Sequence, residues 1–263
     1  TLGRGGSDFS ASILGAGLDA DEIWIWSDVN GILTADPNIV PQAHTLQELS
    51  YQEAAELAYY GADVLHPKTI RPVIENQIPL RILNSFNPEH PGTLIVSAPN
   101  LHREISPAII STTGLSMIAV SGQDDSWSLS LSARILQTLS VEGLQVPMFS
   151  QSFSEHSLNL ILRSQDQSQC LRVLKREFNQ ECDRTGCEIK IREKIGTVSV
   201  VGLSNGETIR TVSHAYAALG KGNIQVIAVA QPATERSVSF CIPEDQVPNT
   251  VRLLHTELGL DQT

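Results

Sequence analysis

Residues 151–162, Gln-Ser-Phe-Ser-Glu-His-Ser-Leu-Asn-Leu-Ile-Leu, reappear in altered form as residues 231–242, Gln-Pro-Ala-Thr-Glu-Arg-Ser-Val-Ser-Phe-Cys-Ile. A shift of 80 residues superimposes the two stretches without a gap, and the same shift places Gly122 on Gly202. Apolar positions coincide along the whole unit, which is typical of a duplicated domain.

Each copy alternates between strand and helix patterns in the order strand, helix, strand, strand, helix. The segments of the first copy are 117–120, 129–139, 144–149, 158–162 and 170–178, and those of the second are 198–201, 209–219, 224–230, 238–242 and 247–258. This order predicts a small α/β sandwich of the ferredoxin-like type in each copy.

The closing strand of the sheet distinguishes the two copies. Residues 188–191 form a candidate closing strand for the first copy, whereas the equivalent segment of the second copy would lie beyond Thr263. Ala108-Ile109-Ile110 is a spare apolar strand ahead of the first copy, and we expect it to complete the second sheet. The first copy would then be inserted within the second.

The composition disfavours two classes of function. The chain has 18 Lys and Arg against 29 Asp and Glu, a net charge of −11, which is a poor match for a nucleic-acid-binding protein. No apolar run approaches the roughly 20 residues of a membrane-spanning helix, and the first residues do not form a signal peptide. The histidines form no ligand pair. We therefore expect a cytoplasmic protein that binds no nucleic acid, no membrane and no metal of its own.

The first eight residues, Thr-Leu-Gly-Arg-Gly-Gly-Ser-Asp, lead directly into an apolar helical stretch at 9–18. Glycines expose backbone N–H groups, the helix N-terminus adds the positive end of its dipole, and Arg4 can bind a carboxylate or phosphate through two hydrogen bonds. The pattern predicts an anion-binding loop. A tight turn in which Ser7 and Asp8 cap the helix is the alternative. A site placed at residue one leads us to expect the C-terminal part of a larger protein.

Four further segments follow this loop: 24–37, 50–57, 61–67 (Gly-Ala-Asp-Val-Leu-His-Pro) and 91–95 (Pro-Gly-Thr-Leu-Ile). In this order and at these spacings the set resembles the aspartate kinases. The resemblance implies that residues 1–97 are the C-terminal part of an amino-acid-kinase α/β sandwich of the carbamate-kinase-like type.

The two copies resemble the tandem ACT domains that regulate aspartate kinases. On this basis the first ACT domain covers residues 98–186 and the second covers 187–263, with 107–111 as a candidate strand of the second. Domains of this type imply a homo-oligomer with an amino-acid effector at the interface between domains.

The resemblance also implies a reaction. The β-carboxylate of L-aspartate attacks the γ-phosphoryl group of Mg²⁺-bound ATP and gives 4-phospho-L-aspartate. This is the first step in the synthesis of threonine, lysine and methionine. No tightly bound cofactor is implied. Positioning and neutralisation of charge then supply the catalysis, because no protein nucleophile is needed.

Site residues follow from the matched motifs. Arg4 and Asp8 would be catalytic and, together with Ser7, would bind aspartate. The nucleotide would contact Ser27, Asp28, Leu33 and Asp36. Asp28 and Asp36 are also ordinary turn residues, and Asn30-Gly31 indicates a hairpin.

Two positions depart from the family pattern in ways that weaken a polyphosphate site. Asn38 stands where an arginine is usual and Asp63 where a lysine is usual, so two cations are lost and one anion is gained. The family's Lys-Phe-Gly-Gly segment, which supplies its catalytic lysine, is absent from the 263 residues. We expect the chain by itself to have no kinase activity.

The effector site is predicted in two parts. The Gly-Asn turn at Asn223 and Ile224 would offer backbone donors to the carboxylate of an amino acid, and the next strand would offer carbonyl groups to its ammonium. Gln151 and Gln231 resemble threonine sensors, since an amide can both donate to and accept from a hydroxyl group. Alternatively, the two glutamines only cap buried strands.

Two classes of function remain open. The first is a regulated aspartate kinase, closest to the threonine-sensitive type fused to homoserine dehydrogenase, with a lysine-regulated monofunctional enzyme as its variant. The second is a non-catalytic module that senses an amino acid or assembles subunits around a degenerate kinase remnant.

Overall fold

The computed structural model describes residues 5–60, 67–99, 107–122, 129–152, 156–203 and 208–261. Arg4 and Asp63 therefore lie outside the described residues. The chain folds into an N-terminal α/β segment followed by the two repeats.

The described part of the N-terminal segment contains three helices and a four-stranded mixed sheet. In chain order its elements are α1 (Gly6–Gly17), β1 (Ile23–Ser27), β2 (Glu48–Ser50), α2 (Tyr51–Tyr60), α3 (Pro67–Asn76), β3 (Leu80–Asn84) and β4 (Thr93–Val96). The strand order is β1-β3-β4-β2, with β1 parallel to β3, β2 parallel to β4, and β3 antiparallel to β4.

The start of α2 shows how the sequence sets one of these boundaries. The Ser50 N–H donates to Glu53 Oε2 at 2.7 Å, and the Glu53 N–H donates to Ser50 Oγ at 3.1 Å. This reciprocal capping box satisfies two N–H groups that the first turn of a helix cannot pair internally.

The repeats share one antiparallel sheet of six strands in the order β6-β7-β5-β8-β10-β9. Their elements are β5 (Ala108–Ser121), α4 (Leu129–Val141), β6 (Met148–Ser152), β7 (Ser157–Arg163), α5 (Gln167–Thr185), β8 (Glu188–Val201), α6 (Thr208–Lys221), β9 (Ala228–Ala230), β10 (Ser237–Pro243) and α7 (Val247–Glu257). Both repeats have the ferredoxin-like strand order, and the predicted fold class is confirmed.

Strands β5 and β8 each run through both repeats. Residues 115–121 of β5 pair with β7 and with the first half of β8, whereas Ala108–Thr112 pair with Val201–Thr197 at the other end of β8. The N-terminal part of β5 therefore lies beside the second repeat. Bulges interrupt the pairing near Gly114 and Lys194, two left-handed residues that are also 80 positions apart.

Three predicted boundaries differ from the structure. The predicted strands 144–149 and 224–230 begin later, at Met148 and Ala228, because their first residues close the ends of α4 and α6. In both turns an N–H group donates to the carbonyl oxygen five residues earlier, at the end of the helix: Leu144 N–H to Leu139 O at 3.0 Å, and Ile224 N–H to Leu219 O at 2.9 Å. The predicted helical segment 170–178 is longer in the structure, where α5 continues through residues 179–185.

Each repeat packs its own pair of helices on one face of the shared sheet. Residues from α4 and α5 bury the strands of the first repeat around Ile118 and Leu160, and residues from α6 and α7 bury those of the second around Val200 and Phe240. The opposite face forms a smaller apolar cluster containing Met148 of β6 and Ala228 of β9, so the sheet curves until its two outermost strands approach each other.

The second repeat also packs against the N-terminal segment. Ile109 points into the core of the second repeat, whereas its neighbours Ala108 and Ile110 pack into the core of the N-terminal segment, where Leu57 of α2 lies. This alternation is the ordinary two-residue period of a strand. The second repeat therefore connects the first repeat to the N-terminal segment through packed side chains.

Cysteines and helix lengths complete the description. Cys170 and Cys241 are buried free thiols, and burial raises the pKa of each to about 11. Cys187 is disulfide-bonded. Among the described residues no helix combines the length and apolarity needed to cross a membrane.

Alanine substitutions in β5 test which repeat is stabilised by each part of the strand. Ile109 is 1% exposed and Ile118 is fully buried, so we expect Ile109→Ala and Ile118→Ala each to lower the free energy of unfolding by about 2–5 kcal/mol. Amide exchange should rise most in α6 and α7 for Ile109→Ala, and most in α4 and α5 for the matched Ile118→Ala variant. The same exchange pattern in both variants would contradict this division of the strand.

Candidate functional site

The start of α1 carries two of the predicted site residues. Gly5 adopts a left-handed conformation (φ 72°) and its carbonyl accepts the first helical hydrogen bond, from Phe9 N–H at 3.1 Å. Ser7 Oγ donates to Asp8 Oδ1 at 3.0 Å. The Asp8 carboxylate thus lies in the first turn, where the helix dipole favours negative charge.

Ser27 and Asp28 form a matching pair at the end of β1, where Ser27 Oγ donates to Asp28 Oδ1 at 3.2 Å. Helix α1 is about 18 Å long and β1 is about 16 Å long, and a short turn reverses the chain between them. Gly15 of α1 packs directly over Ile23 of β1, where a Cβ atom would lie 2.4 Å from Ile23 Cδ1. The start of the helix and the end of the strand are therefore at the same end of the segment, and this arrangement brings both Ser-Asp pairs to it.

A third polar group at this end was not identified from the sequence. Asn84 follows the apolar part of β3 and lies opposite Ser27 in the parallel ladder. It is 9% exposed, its Nδ2 donates to Asn30 Oδ1 at 2.8 Å, and its Oδ1 accepts the Phe86 N–H at 2.9 Å. The sequence does contain a signal for Asn84, because it is a polar residue directly after an apolar strand pattern. Ligands of α/β sheets bind at the carboxyl ends of strands.

The loop after β1 does not turn at Asn30-Gly31 as predicted. Gly31 has φ 101°, and the Ile32 N–H donates to Thr93 Oγ1 at 2.8 Å, so the chain continues along β4. The chain folds back only at residues 34–44, between the bridged residues Leu33 and Thr45. We call residues 33–45 the crossing loop.

Within the crossing loop, Asp36 forms a local turn. Its Oδ1 accepts the Asn38 backbone N–H at 2.9 Å and the Asn38 Nδ2 at 3.0 Å. Ala35 and Val40, on either side, are buried in the core of the second repeat. Asp36 is exposed. The geometry fits the turn alternative for Asp36 and places the residue away from the core that holds the loop.

The paired glutamines lie at the ends of the two outermost strands. Gln151 is in β6 and Gln231 directly follows β9. The Gln151 Nε2 atom is buried and has no hydrogen-bond partner among the described residues, whereas the Gln231 side chain is exposed. A buried amide without a partner costs free energy, so this atom needs an acceptor from a ligand, a water molecule or another chain.

The predicted donors at Asn223 and Ile224 are already occupied. Asn223 N–H donates to Gly220 O at 3.1 Å and, as described above, Ile224 N–H closes the end of α6. An amino-acid carboxylate therefore cannot use these two N–H groups without opening the helix end. The exposed Asn223 side chain is the remaining donor of that turn.

A further contact links the turn between β9 and β10 to the N-terminal segment. Arg236, in the turn after Gln231, donates to Gln52 Oε1 on α2. Burial raises the pKa of the neighbouring Glu56 carboxyl; the positive charge of Arg236 opposes this increase and the negative charge of Glu53 adds to it. Glu56 Oε2 has no hydrogen-bond partner among the residues that the structure describes.

Two family models match the chain. The model of the amino acid kinase family matches residues 1–84, and the ACT domain model matches residues 118–178 and again 198–258. The two matches to the ACT domain model are offset by 80 residues, the same distance as the sequence repeat.

Curated relatives share about a third of their residues with this chain. It is 35% identical over 258 residues to the bifunctional aspartokinase/homoserine dehydrogenase of Haemophilus influenzae, which covers 98% of this chain and 32% of the relative. It is 33% identical over 267 residues to the chloroplastic aspartokinase 1 of Arabidopsis thaliana, which covers 97% of this chain and 44% of the relative. The chain thus spans about a third to a half of these relatives.

Solved structures give the same picture for the fold. The structure of E. coli aspartokinase III in complex with aspartate and ADP matches with a TM-score of 0.81 and 26% identity, over 98% of this chain and 57% of that chain. The aspartate kinase of Clostridium acetobutylicum matches with a TM-score of 0.83 and 29% identity, over 98% and 59%.

Substitution of Gly31 tests the described path of the crossing loop. A Cβ atom at Gly31 would lie 2.4 Å from Thr93 Oγ1 and 2.8 Å from Thr93 N, and φ is positive. We expect Gly31→Ala to lower the free energy of unfolding by roughly 3 kcal/mol, measured by urea denaturation. Gly17→Ala is the control, because nothing lies within 4 Å of that position. Equal stability of the two variants would contradict the contact with Thr93.

Proposed function

Because the chain belongs to the aspartokinase family, with the C-terminal part of an amino-acid-kinase domain and two ACT domains, we propose that the whole protein phosphorylates L-aspartate and is inhibited by an amino acid. In this proposal residues 1–97 belong to the catalytic domain, 98–186 to the first ACT domain and 187–263 to the second, which recruits residues 107–111 as a strand. The observation that carries the catalytic half is that both Ser-Asp pairs lie at the same end of the N-terminal segment.

The chemistry requires positioning of two anions. An oxygen of the aspartate β-carboxylate forms a bond to the γ-phosphorus of ATP while the bond from that phosphorus to the β,γ-bridging oxygen breaks, so ADP leaves with the electron pair. The Asp8 carboxylate would bind the ammonium group of the substrate, and Ser7 would orient Asp8 through their hydrogen bond. Arg4 would bind the α-carboxylate of the substrate.

Nucleotide contacts would come from the other side of the same end. Ser27 and Asp28 would contact ATP, with Leu33 and Asp36 contributed by the crossing loop. Mg²⁺ would enter with the phosphates and neutralise their charge, and the exposed Asp28 carboxylate is an oxygen ligand of the kind that Mg²⁺ accepts. Asn38 and Asp63 provide no positive charge here, so Arg4 would be the main cation that this chain supplies.

Threonine is the effector that we favour. Gln151 Nε2 is a buried donor in need of an acceptor, and a threonine hydroxyl group can both accept from one amide and donate to another. The relatives that are bifunctional aspartokinase/homoserine dehydrogenases support this choice and the fusion to a dehydrogenase. We further propose that ACT domains of two copies associate, and that the effector lies at an interface between ACT domains.

Lysine is the second candidate. The structure of E. coli aspartokinase III in complex with lysine and aspartate matches this chain with a TM-score of 0.75 and 27% identity. A lysine ammonium group is a donor only, so it would offer no acceptor to the buried Gln151 Nε2.

A non-catalytic sensor is the remaining alternative, favoured by Asn38 and Asp63. For the 263-residue chain alone we expect no formation of aspartyl phosphate. The cytoplasmic location of the protein stays a prediction as well, because the relatives include chloroplast proteins of plants.

Calorimetric titration of the chain tests the effector. We expect saturable binding of threonine that Gln151→Ala and Gln231→Ala each weaken about tenfold or more, since each removes a hydrogen bond to the hydroxyl group. Gln137→Ala is the matched control, because Gln137 is an exposed glutamine on α4. Binding of lysine alone would establish the lysine-regulated alternative, and binding of neither would leave the ACT domains as assembly domains.

Kinetics of the whole protein test the catalytic residues. We expect Asp8→Asn and Asp28→Asn to reduce kcat/KM for aspartate-dependent ADP release about a hundredfold, because each removes a charge that positions a substrate. Asp19→Asn is the control, since Asp19 is exposed at the opposite end of α1. Wild-type activity in the Asp8 and Asp28 variants would exclude these residues from the site, and an inactive wild-type protein would favour the non-catalytic sensor.

A further inference from the structure

A buried histidine of the second ACT domain contacts the crossing loop. His255 of α7 is fully buried. Its Nε2 lies 3.0 Å from Thr34 Oγ1, and its Nδ1 lies 2.6 Å from Asp261 Oδ1. Thr34 is also fully buried, and 221 residues of chain separate it from His255.

The direction of each hydrogen bond follows from the partners. Thr34 Oγ1 accepts the His44 backbone N–H at 3.2 Å, so its own hydrogen can go to His255 Nε2. The other ring nitrogen then carries the hydrogen and donates it to Asp261. Hydrogen bonds from the Thr256 side chain and from His255 hold the pKa of the Asp261 carboxyl below its usual value. Both ring nitrogens of His255 therefore have a hydrogen-bond partner, and Thr34 Oγ1 has two.

Two further hydrogen bonds hold the same loop against the second ACT domain. The Ile109 N–H of β5 donates to Thr34 O at 2.7 Å, and Arg252 Nε of α7 donates to Ile39 O at 3.0 Å. Ala35 and Val40 are each 3% exposed and pack into the core formed by α6 and α7. The position of the crossing loop is therefore determined by the second ACT domain.

We propose that His255 is a positioning residue for nucleotide binding: through Thr34 it fixes the crossing loop, and so sets where Leu33 and Asp36 are presented to ATP. This inference rests on the proposed role of the crossing loop as a nucleotide contact. Leu33 directly precedes Thr34, and Asp36 follows it by two residues, so a change in the backbone of Thr34 displaces both.

The proposal also identifies a route by which an ACT domain can affect the nucleotide site. His255 is anchored to Asp261 at the end of the second ACT domain, and α7 packs on the β5–β8 part of the shared sheet. A displacement of α7 would pull the ring away from Thr34 and leave the buried hydroxyl hydrogen of Thr34 without its acceptor, which opposes partial separation. The contact therefore favours two discrete arrangements, docked and released.

Amide exchange of the 263-residue chain tests the contact directly. Thr34→Val removes the hydroxyl group at constant shape, whereas Thr34→Ser keeps it. In Thr34→Val we expect amide exchange at position 34, at His44 and at Ile109 to become about tenfold faster or more. In Thr34→Ser we expect the exchange rates of the same amides to stay within about threefold of the wild type. His255→Asn, which can still reach Asp261 but not Thr34, should behave as Thr34→Val does. Equal exchange in Thr34→Val and Thr34→Ser would overturn the proposal.

Kinetics of the whole protein separate positioning from general stability. We expect Thr34→Val and His255→Asn to raise the KM for ATP about tenfold, with the KM for aspartate within about twofold of the wild type, and Thr34→Ser to restore the KM for ATP. Equal changes in both KM values, or in kcat alone, would indicate a merely structural residue and overturn the proposal. An inactive wild-type protein would overturn the proposed kinase function and the nucleotide role of the loop, while exchange would still decide whether His255 holds the loop.

Discussion

The pairing of β5 with β8 is the constraint on which the rest of the structure depends. Each strand is 14 residues long and supplies two strands to the fold, one to each ACT domain. Neither repeat can close its sheet without a strand that also belongs to the other. The bulges near Gly114 and Lys194 bend this shared ribbon in the middle, which lets the outermost strands β6 and β9 approach each other on the face away from the helices.

The same ribbon connects the ACT domains to the N-terminal segment. Ile109 packs among the helices of the second ACT domain, while Ala108 and Ile110, on the other face of the strand, pack into the N-terminal segment. Cores of close-packed side chains resist small deformations and shift between discrete arrangements. A ligand at β6 or β9 that changes the curvature of the sheet would therefore act on the contacts of α2 and the crossing loop, where Arg236 meets Gln52 and His255 meets Thr34.

The buried polar groups described above differ in whether their hydrogen bonds are complete. Among the residues that the structure describes, Gln151 Nε2 is buried without an acceptor, and a buried amide of this kind needs a partner from elsewhere. The series from His44 through Thr34 and His255 to Asp261 is complete, as expected for a contact that fixes a loop. Asn223 and Ile224 belong to the second kind, because their N–H groups close a helix and are not available to a ligand.

The sequence by itself determined the repeat and the ferredoxin-like order of each copy. These features depend on local periodicity and on residue types at fixed spacing, which are visible along the chain. Only the tertiary structure decided that the strands after α4 and α6 begin late, that Asn84 joins the edge at Ser27, and that Thr34 is held by His255. Each of these outcomes depends on a hydrogen bond whose partner is chosen by the packing of distant elements or by the geometry of a helix end, and neither choice is encoded in a periodic pattern.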